Sequence, residues 1–150
     1  MAKPETENRC NVTALRKATR HVSQLYDALL ARCGLRATQR AVLAYISLNG
    51  APTMGKLAEA LVLDRTALNH NLKPLQRDGL VTIVADRNDR RSRLVQLTRR
   101  GEAKLAESQL AWKQAQDKFE SAFGARQAAD MRRTLNLIAS LEFPESPASV

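Results

Sequence analysis

Two cysteines, two histidines and one tryptophan in 150 residues leave little material for a metal centre, a disulfide scaffold or an aromatic cage. Cys10 and Cys33 do not form a C-x-x-C pair, and His21 and His70 are remote from both in sequence. Zinc and thioredoxin-type spacings are thereby excluded, and no metal or cofactor is expected. A structural disulfide is not expected in a reducing compartment. No stretch approaches the roughly 18 continuous apolar residues of a membrane helix. Residues 1–10 are polar and lack the apolar core of a secretory signal, so the expected location is cytoplasmic, without a membrane partner. There is no Ser-His-Asp order, phosphate loop or nucleotide fingerprint, and no enzyme is expected. Acidic residues are also scarce: 24 Lys+Arg stand against 15 Asp+Glu, a formal charge of +9. Such an excess points to a polyanion, nucleic acid before membrane, although a basic solvated surface gives the same number.

What is present is mostly helical pattern. A length of 150 residues suits one domain with a real core. Leu15, Ala18, Val22, Leu25 and Leu29 form a stripe down one face of a first helix, with Gly34 as its stop signal. A second, largely apolar helix is expected from Thr38, through Val42, Tyr45 and Ile46, to the breaker Asn49-Gly50-Ala51-Pro52. Thr53 caps a short third helix carrying Met54, Leu57, Ala58 and Leu61. A fourth helix runs over residues 65–78, with Leu68, Leu72 and Leu75 facing the core, Pro74 as an awkward guest and Gly79 at its end.

The period then falls to two. Residues 80–84 and 94–98 read as strands, joined by a polar loop over 85–93. Beyond Gly101 a single long helix is expected over 102–123, with Leu105, Trp112 and Phe119 seven apart. A last helix over 126–141 carries Met131, Leu135, Ile138 and Leu141. Residues 1–7 and the Ser/Pro-rich end after Phe143 are expected to fray. The predicted class is therefore mainly α (α+β), in the order ααααββαα. The stripes of the outer helices, over 8–34 and 102–141, are not easily all buried by the small middle section, which argues for packing against each other and against a second copy, with an intramolecular bundle as the alternative.

Residues 53–78 have the lengths of a helix-turn-helix, and the hairpin after them makes a wing. The second helix of such a unit points its N-terminal side chains at base edges in the major groove. Here those side chains are Arg65, Thr66, Asn69, His70 and Lys73. Arginine suits guanine and asparagine suits adenine, while Thr66 and Lys73 are placed for phosphate or for either role. Residues 86–100 add Arg87, Arg90, Arg91, Arg93, Arg99 and Arg100 against Asp86 and Asp89, a net +4. Arginine on a projecting loop can enter a narrow minor groove. Asp89 is an odd residue to aim at phosphate, and its expected task is to hold Arg91 by a charge-assisted contact.

At this point the chain resembles a known family. The run Asp89-Arg90-Arg91-Ser92-Arg93-Leu94-Val95-Gln96-Leu97-Thr98 fits the D-x-R-x-x-x-x-x-L-T wing signature of the multiple antibiotic resistance regulator (MarR) family. Leu57-Ala58-Glu59-Ala60-Leu61, Leu63-Asp64-Arg65-Thr66-Ala67-Leu68 and Leu75-Gln76-Arg77-Asp78-Gly79-Leu80-Val81 are similar to its helix-turn-helix, and Leu35-Arg36-Ala37-Thr38-Gln39 to its second-helix start. The resemblance implies one MarR-like domain over 1–150: a dimerisation region from 8–34 and 102–141, and a winged lobe over 38–100. It also implies a homodimer on a pseudo-palindromic duplex operator, and a repressor released by a small molecule or an oxidant. Two departures stand out. Many members carry Thr and Arg where this chain has Asn69 and His70, and Pro74 lies inside the recognition helix.

For the effector, the resemblance directs attention to the region between the outer helices and the winged lobe. His21, Tyr26, Tyr45 and Trp112 are the candidates there for a small aromatic or acidic ligand, or else ordinary packing residues. Cys10 offers a rival as a thiol sensor near a helix N-terminus, where thiol pKa falls. A further rival is a winged-helix module that binds protein or RNA without reading DNA sequence.

Overall fold

The computed structural model describes residues 9–144, so the expected fraying of residues 1–7 and the end of the Ser/Pro-rich tail lie outside the described residues. The chain forms α1 (Asn11–Leu30), a 3-10 turn (Ala31–Cys33), α2 (Ala37–Asn49), α3 (Met54–Ala60) and α4 (Arg65–Arg77). A hairpin of β1 (Val81–Ala85) and β2 (Arg93–Leu97) follows, then α5 (Arg99–Glu107), α6 (Gln109–Phe123) and α7 (Ala125–Ala139). The class is mainly α with one two-stranded antiparallel sheet, as expected.

The middle of the chain folds for local reasons. Thr53 caps α3 by accepting the Lys56 N–H at 3.1 Å, and Asp64 caps α4 by accepting the Ala67 N–H at 2.7 Å. The α4 helix runs through Pro74 to Arg77. It then closes on Gly79 at φ +72°, with the Leu80 N–H bonded to the Leu75 carbonyl at 2.8 Å. The strands pair Val81 with Leu97 through Ala85 with Arg93, one residue later on the first strand and one earlier on the second than the pattern suggested. Pro52 and Thr53 lie along the free edge of β2: the Pro52 carbonyl accepts the Val95 N–H at 2.9 Å, and Thr53 bridges Leu94. The wing is thereby tied to the start of α3.

Leu68, Leu72 and Leu75 of α4 are fully buried, as their spacing required. They join Leu30, Leu43, Ile46, Leu57 and Val95 in one core. At roughly 1.5–3 kcal/mol for each fully buried side chain, this core is the main stabiliser of the lobe.

Two helix boundaries differ from expectation. The α2 helix starts at Ala37, not at Thr38, because its free N–H groups find other acceptors. Asp27 of α1 accepts the Ala37 N–H at 2.7 Å, and Gln39 accepts that of Arg36 at 2.9 Å. The expected long helix over 102–123 is two helices that meet at Ser108. It also begins earlier, with Thr98 as its cap accepting the Gly101 N–H at 3.0 Å. Gly101 is thus a helical residue and not a separator. A Cβ there would come within 2.0 Å of the Leu80 carbonyl oxygen, so glycine lets α5 press onto the end of the hairpin.

The outer helices are different. Every residue of α1 from Asn11 to Arg20 is exposed, and only Leu30 of that helix is buried. Of α7 only Ala128 is buried, while Leu135, Leu137 and Ile138 face solvent.

Candidate nucleic-acid interface

The α4 helix buries one face and offers the other. Leu68, Leu72 and Leu75 point inward, and at i, i+3 and i+4 spacing this turns Arg65, Thr66, Asn69, His70 and Lys73 outward; all five are exposed. The Asp64 cap fixes the first turn, from which Arg65 and Thr66 project. Asp64 itself was not picked out from sequence, although an aspartate directly before a helix is its ordinary signal.

The wing is an ordered loop. The Asp86 N–H bonds to the Ser92 carbonyl at 3.0 Å and closes its base. Asp86 Oδ1 accepts the Asn88 N–H at 2.9 Å inside it. Arg87, Arg90, Arg91 and Arg93 all reach solvent. Asp89 does not hold a guanidinium, as had been expected. Its carboxylate accepts the Arg91 backbone N–H at 3.0 Å, and its carbonyl accepts the Ser92 N–H at 3.0 Å. A short carboxylate at the head of a turn reaches the backbone two residues on more readily than the end of a long side chain. Asp89 therefore shapes the tip and leaves the arginine charges free. Arg99 and Arg100 belong to the first turn of α5.

Helix and wing converge. Arg65 and Asn69 of α4 line one hollow of about 790 Å³ together with Arg91 and Arg93 of the wing, Thr53 and Gly55. No ion pair among the described residues involves any of these four basic and polar side chains. A helix face and an arginine-bearing loop set around one concavity match a duplex that presents a major groove beside a minor groove.

The candidate effector residues are not brought together. His21 borders a groove of about 580 Å³ between α1 and α6, lined by Val22, Leu25, Lys118, Phe119 and Phe123. Tyr26 donates its hydroxyl hydrogen to Gln116 Oε1, and burial raises its pKa, helped by the Glu120 charge. Tyr45 lines a separate hollow with Lys56, Glu59 and Val62. Trp112 carries the Arg40 guanidinium over its ring at 4.7 Å. Arg40 was missed from sequence: it lies on a helix read as buried, yet it stays among the buried residues as a base whose pKa is lowered by desolvation. Cys10 stands at the N-cap of α1, partly exposed. Hydrogen bonds from the Thr13 side chain and backbone lower its pKa.

Comparison with known proteins agrees with this geometry. The MarR family model matches residues 34–92, which span the whole of α2 to the wing tip. The transcriptional activatory protein BadR of Rhodopseudomonas palustris is 42% identical over 72 residues. That match takes in 45% of this chain and only 41% of the relative's length. The transcriptional regulator MosR of Mycobacterium tuberculosis, solved in complex with DNA, is 32% identical at a TM-score of 0.73. That alignment covers 87% of this chain and 98% of MosR. CouR of Rhodococcus jostii, bound to p-coumaroyl-CoA, shares the fold at a TM-score of 0.76 and 20% identity, over 92% of this chain and 97% of CouR. With a winged helix-turn-helix in place, a matching family model, and a regulator alike over nearly its full length, this chain belongs to the MarR family of DNA-binding transcriptional regulators.

Proposed function

We propose that this chain is a homodimeric repressor that reads a pseudo-palindromic duplex operator. Each α4 enters a major groove and each wing an adjacent minor groove. The observation that carries this is the single concavity shared by Arg65 and Asn69 with Arg91 and Arg93. Arg65 and Asn69 are the base readers, and Thr66, His70 and Lys73 hold the backbone or add selectivity. Arg87, Arg90, Arg91 and Arg93 supply the minor-groove charge, on a tip shaped by Asp89. The exposed apolar residues of α1 and α7 are the material for the two-fold contact. Half-sites then lie about one helical turn apart, roughly 34–36 Å.

The proposed release signal is a small aromatic acid or its thioester. A groove lined by Phe119, Phe123 and Leu25, with His21 and Lys118 at its edge, suits an apolar body with an anionic end. A second reading, release by oxidation of Cys10, is favoured by the place of the thiol, partly exposed at the N-terminus of α1 and with its pKa lowered beside Thr13.

Anisotropy titrations against the DNA upstream of the chain's own gene and against scrambled duplex test the core of this reading. Selective binding with two protomers per operator is expected; equal affinity for both duplexes would reduce the chain to a non-specific winged-helix module. A reporter behind the operator fixes the sign, with loss of the protein expected to raise expression. A thermal-shift screen of aromatic acids, their thioesters and hydroperoxides, repeated on Cys10→Ser, separates pocket from thiol. A shift that survives the substitution supports the pocket.

A further inference from the structure

Among the described residues two polar side chains are buried, Arg40 and Ser108, and they bond to each other across 68 residues of sequence. Arg40 Nε donates to Ser108 Oγ at 3.0 Å, and an Arg40 terminal nitrogen donates to Gln109 Oε1 at 2.7 Å. No carboxylate pairs with Arg40 among the described residues. Taking a charge out of water costs several kcal/mol unless other groups replace the water. Here the replacements are the Ser108 hydroxyl, the Gln109 amide and the face of Trp112, all from the stretch where α5 meets α6. The carbonyl end of α5 adds its partial negative charge.

Ser108 is committed in both directions. Its hydroxyl accepts from Arg40 and donates to the Leu105 carbonyl at 2.7 Å. A serine that bonds back to its own preceding turn bends a helix. Arg40 thus orients the hydroxyl that interrupts the helix. The Cys33 thiol lies 3.7 Å from the Glu107 carbonyl and supports the same spot from the end of α1.

The interruption at Ser108 lies between two sets of contacts. The α5 helix is fixed to the winged lobe by its Thr98 cap and by Gly101 against Leu80. The α6 helix packs along α1 and belongs to the outer helices. We propose that Arg40 is a positioning residue: from α2 it clamps the joint at Ser108, and so sets the distance between the two recognition helices of the dimer. The consequence for distance rests on the dimeric reading above; the clamp itself does not.

The test uses the full chain and its operator, together with versions whose half-sites are moved apart by two base pairs. The wild type favours the native spacing by about 100-fold. Arg40→Gln is expected to cut that preference to about tenfold or less while binding to an isolated half-site stays unchanged. Ser108→Ala, which removes the acceptor and favours a continuous helix, is expected to act alike and serves if Arg40→Gln does not fold. Arg40→Lys keeps the charge without the fork and should fall between. Full spacing preference in both Arg40→Gln and Ser108→Ala would overturn the proposal. Amide hydrogen exchange over Ser108–Trp112 is read alongside, with a rise of about tenfold expected in Arg40→Gln, where the joint is released. Exchange equal to wild type would also overturn it. A wild-type protein with no spacing preference would sink the dimeric reading instead, and the exchange result then decides the clamp alone.

Discussion

The winged lobe covers its apolar side chains within one chain, whereas the outer helices leave many of theirs exposed. In the lobe, α3, α4 and α5 each begin on a side-chain cap, from Thr53, Asp64 and Thr98. Outside it, α1, α6 and α7 have no side-chain cap at all. The lobe sends Leu57, Leu68, Leu72, Leu75 and Val95 to full burial, while α7 leaves Leu137 63% and Ile138 39% exposed. A short helix needs its ends satisfied and its one apolar face covered. Helices α3, α4 and the hairpin meet both needs locally, while α1 and α7 leave most of their apolar residues uncovered. A buried core therefore stands behind the exposed face of α4, while apolar residues of α1 and α7 stay uncovered within one chain.

The sharpest way to break this contrast is to strike the same chemistry in both regions. Leu72→Ala, at a site with no exposure, is expected to cost about 2–5 kcal/mol in chemical denaturation. Leu137→Ala, on the exposed face of α7, should cost far less in the folded monomer. If the two losses were equal at a protein concentration too low for dimers, the contrast between a buried core and an uncovered face would not hold.

The next effect is on assembly. Ile138→Glu places a charge on the exposed stripe of α7 and should leave the far-UV spectrum and the lobe core intact. Sedimentation is expected to show monomers, and operator affinity to fall by about 100-fold as a two-site engagement becomes one-site. An unchanged dimer would place the two-fold contact elsewhere on the molecule.

The same contrast decides what could be read in advance. The core leucines of α4, the Thr53 cap and the Gly79 stop follow from short-range patterns and are where the pattern put them, and the hairpin is present with each strand one residue off. The misreadings have long-range causes. The stripe of Leu105, Trp112 and Phe119 continues unbroken across Ser108, because the bond that marks the interruption comes from Arg40 on another helix. The α2 start was misplaced because Asp27 of α1 supplies the acceptor. The exposed face of α4 was legible because the spacing of Leu68, Leu72 and Leu75 fixes which residues the core leaves outside. The effector candidates have no such local guide: His21 and Tyr45 line different hollows, Trp112 lies against Arg40, and no short-range pattern distinguishes a pocket from ordinary packing.

A smaller effect belongs to the wing alone. Arg91→Ala should weaken operator binding by about 1–3 kcal/mol and lower the salt slope by about one. Asp89→Ala is expected to act in the same direction without removing a positive charge, because it frees the backbone at Arg91. A titration in which Asp89→Ala tightens binding would show that its charge opposes phosphate more than its turn helps.

The smallest expected effect tests whether the lobe is as settled as its caps suggest. Val62 stands directly after α3 at φ +54°, and the Leu63 N–H reaches back to the Ala58 carbonyl at 2.9 Å. That is the left-handed closure which a helix end ordinarily gives to glycine. A β-branched side chain there strains against its own backbone, and Val62 gains little in return because it is 67% exposed. Val62→Gly relieves the strain but also frees the unfolded chain, so the net gain should be about 1 kcal/mol or less. Thermal unfolding of the two proteins at one concentration checks it. A stabilised variant with unchanged operator affinity means that the strain lies outside the contact with DNA. A stabilised variant that binds more weakly means that Val62 holds the turn, and with it the first turn of α4, in the pose the groove requires.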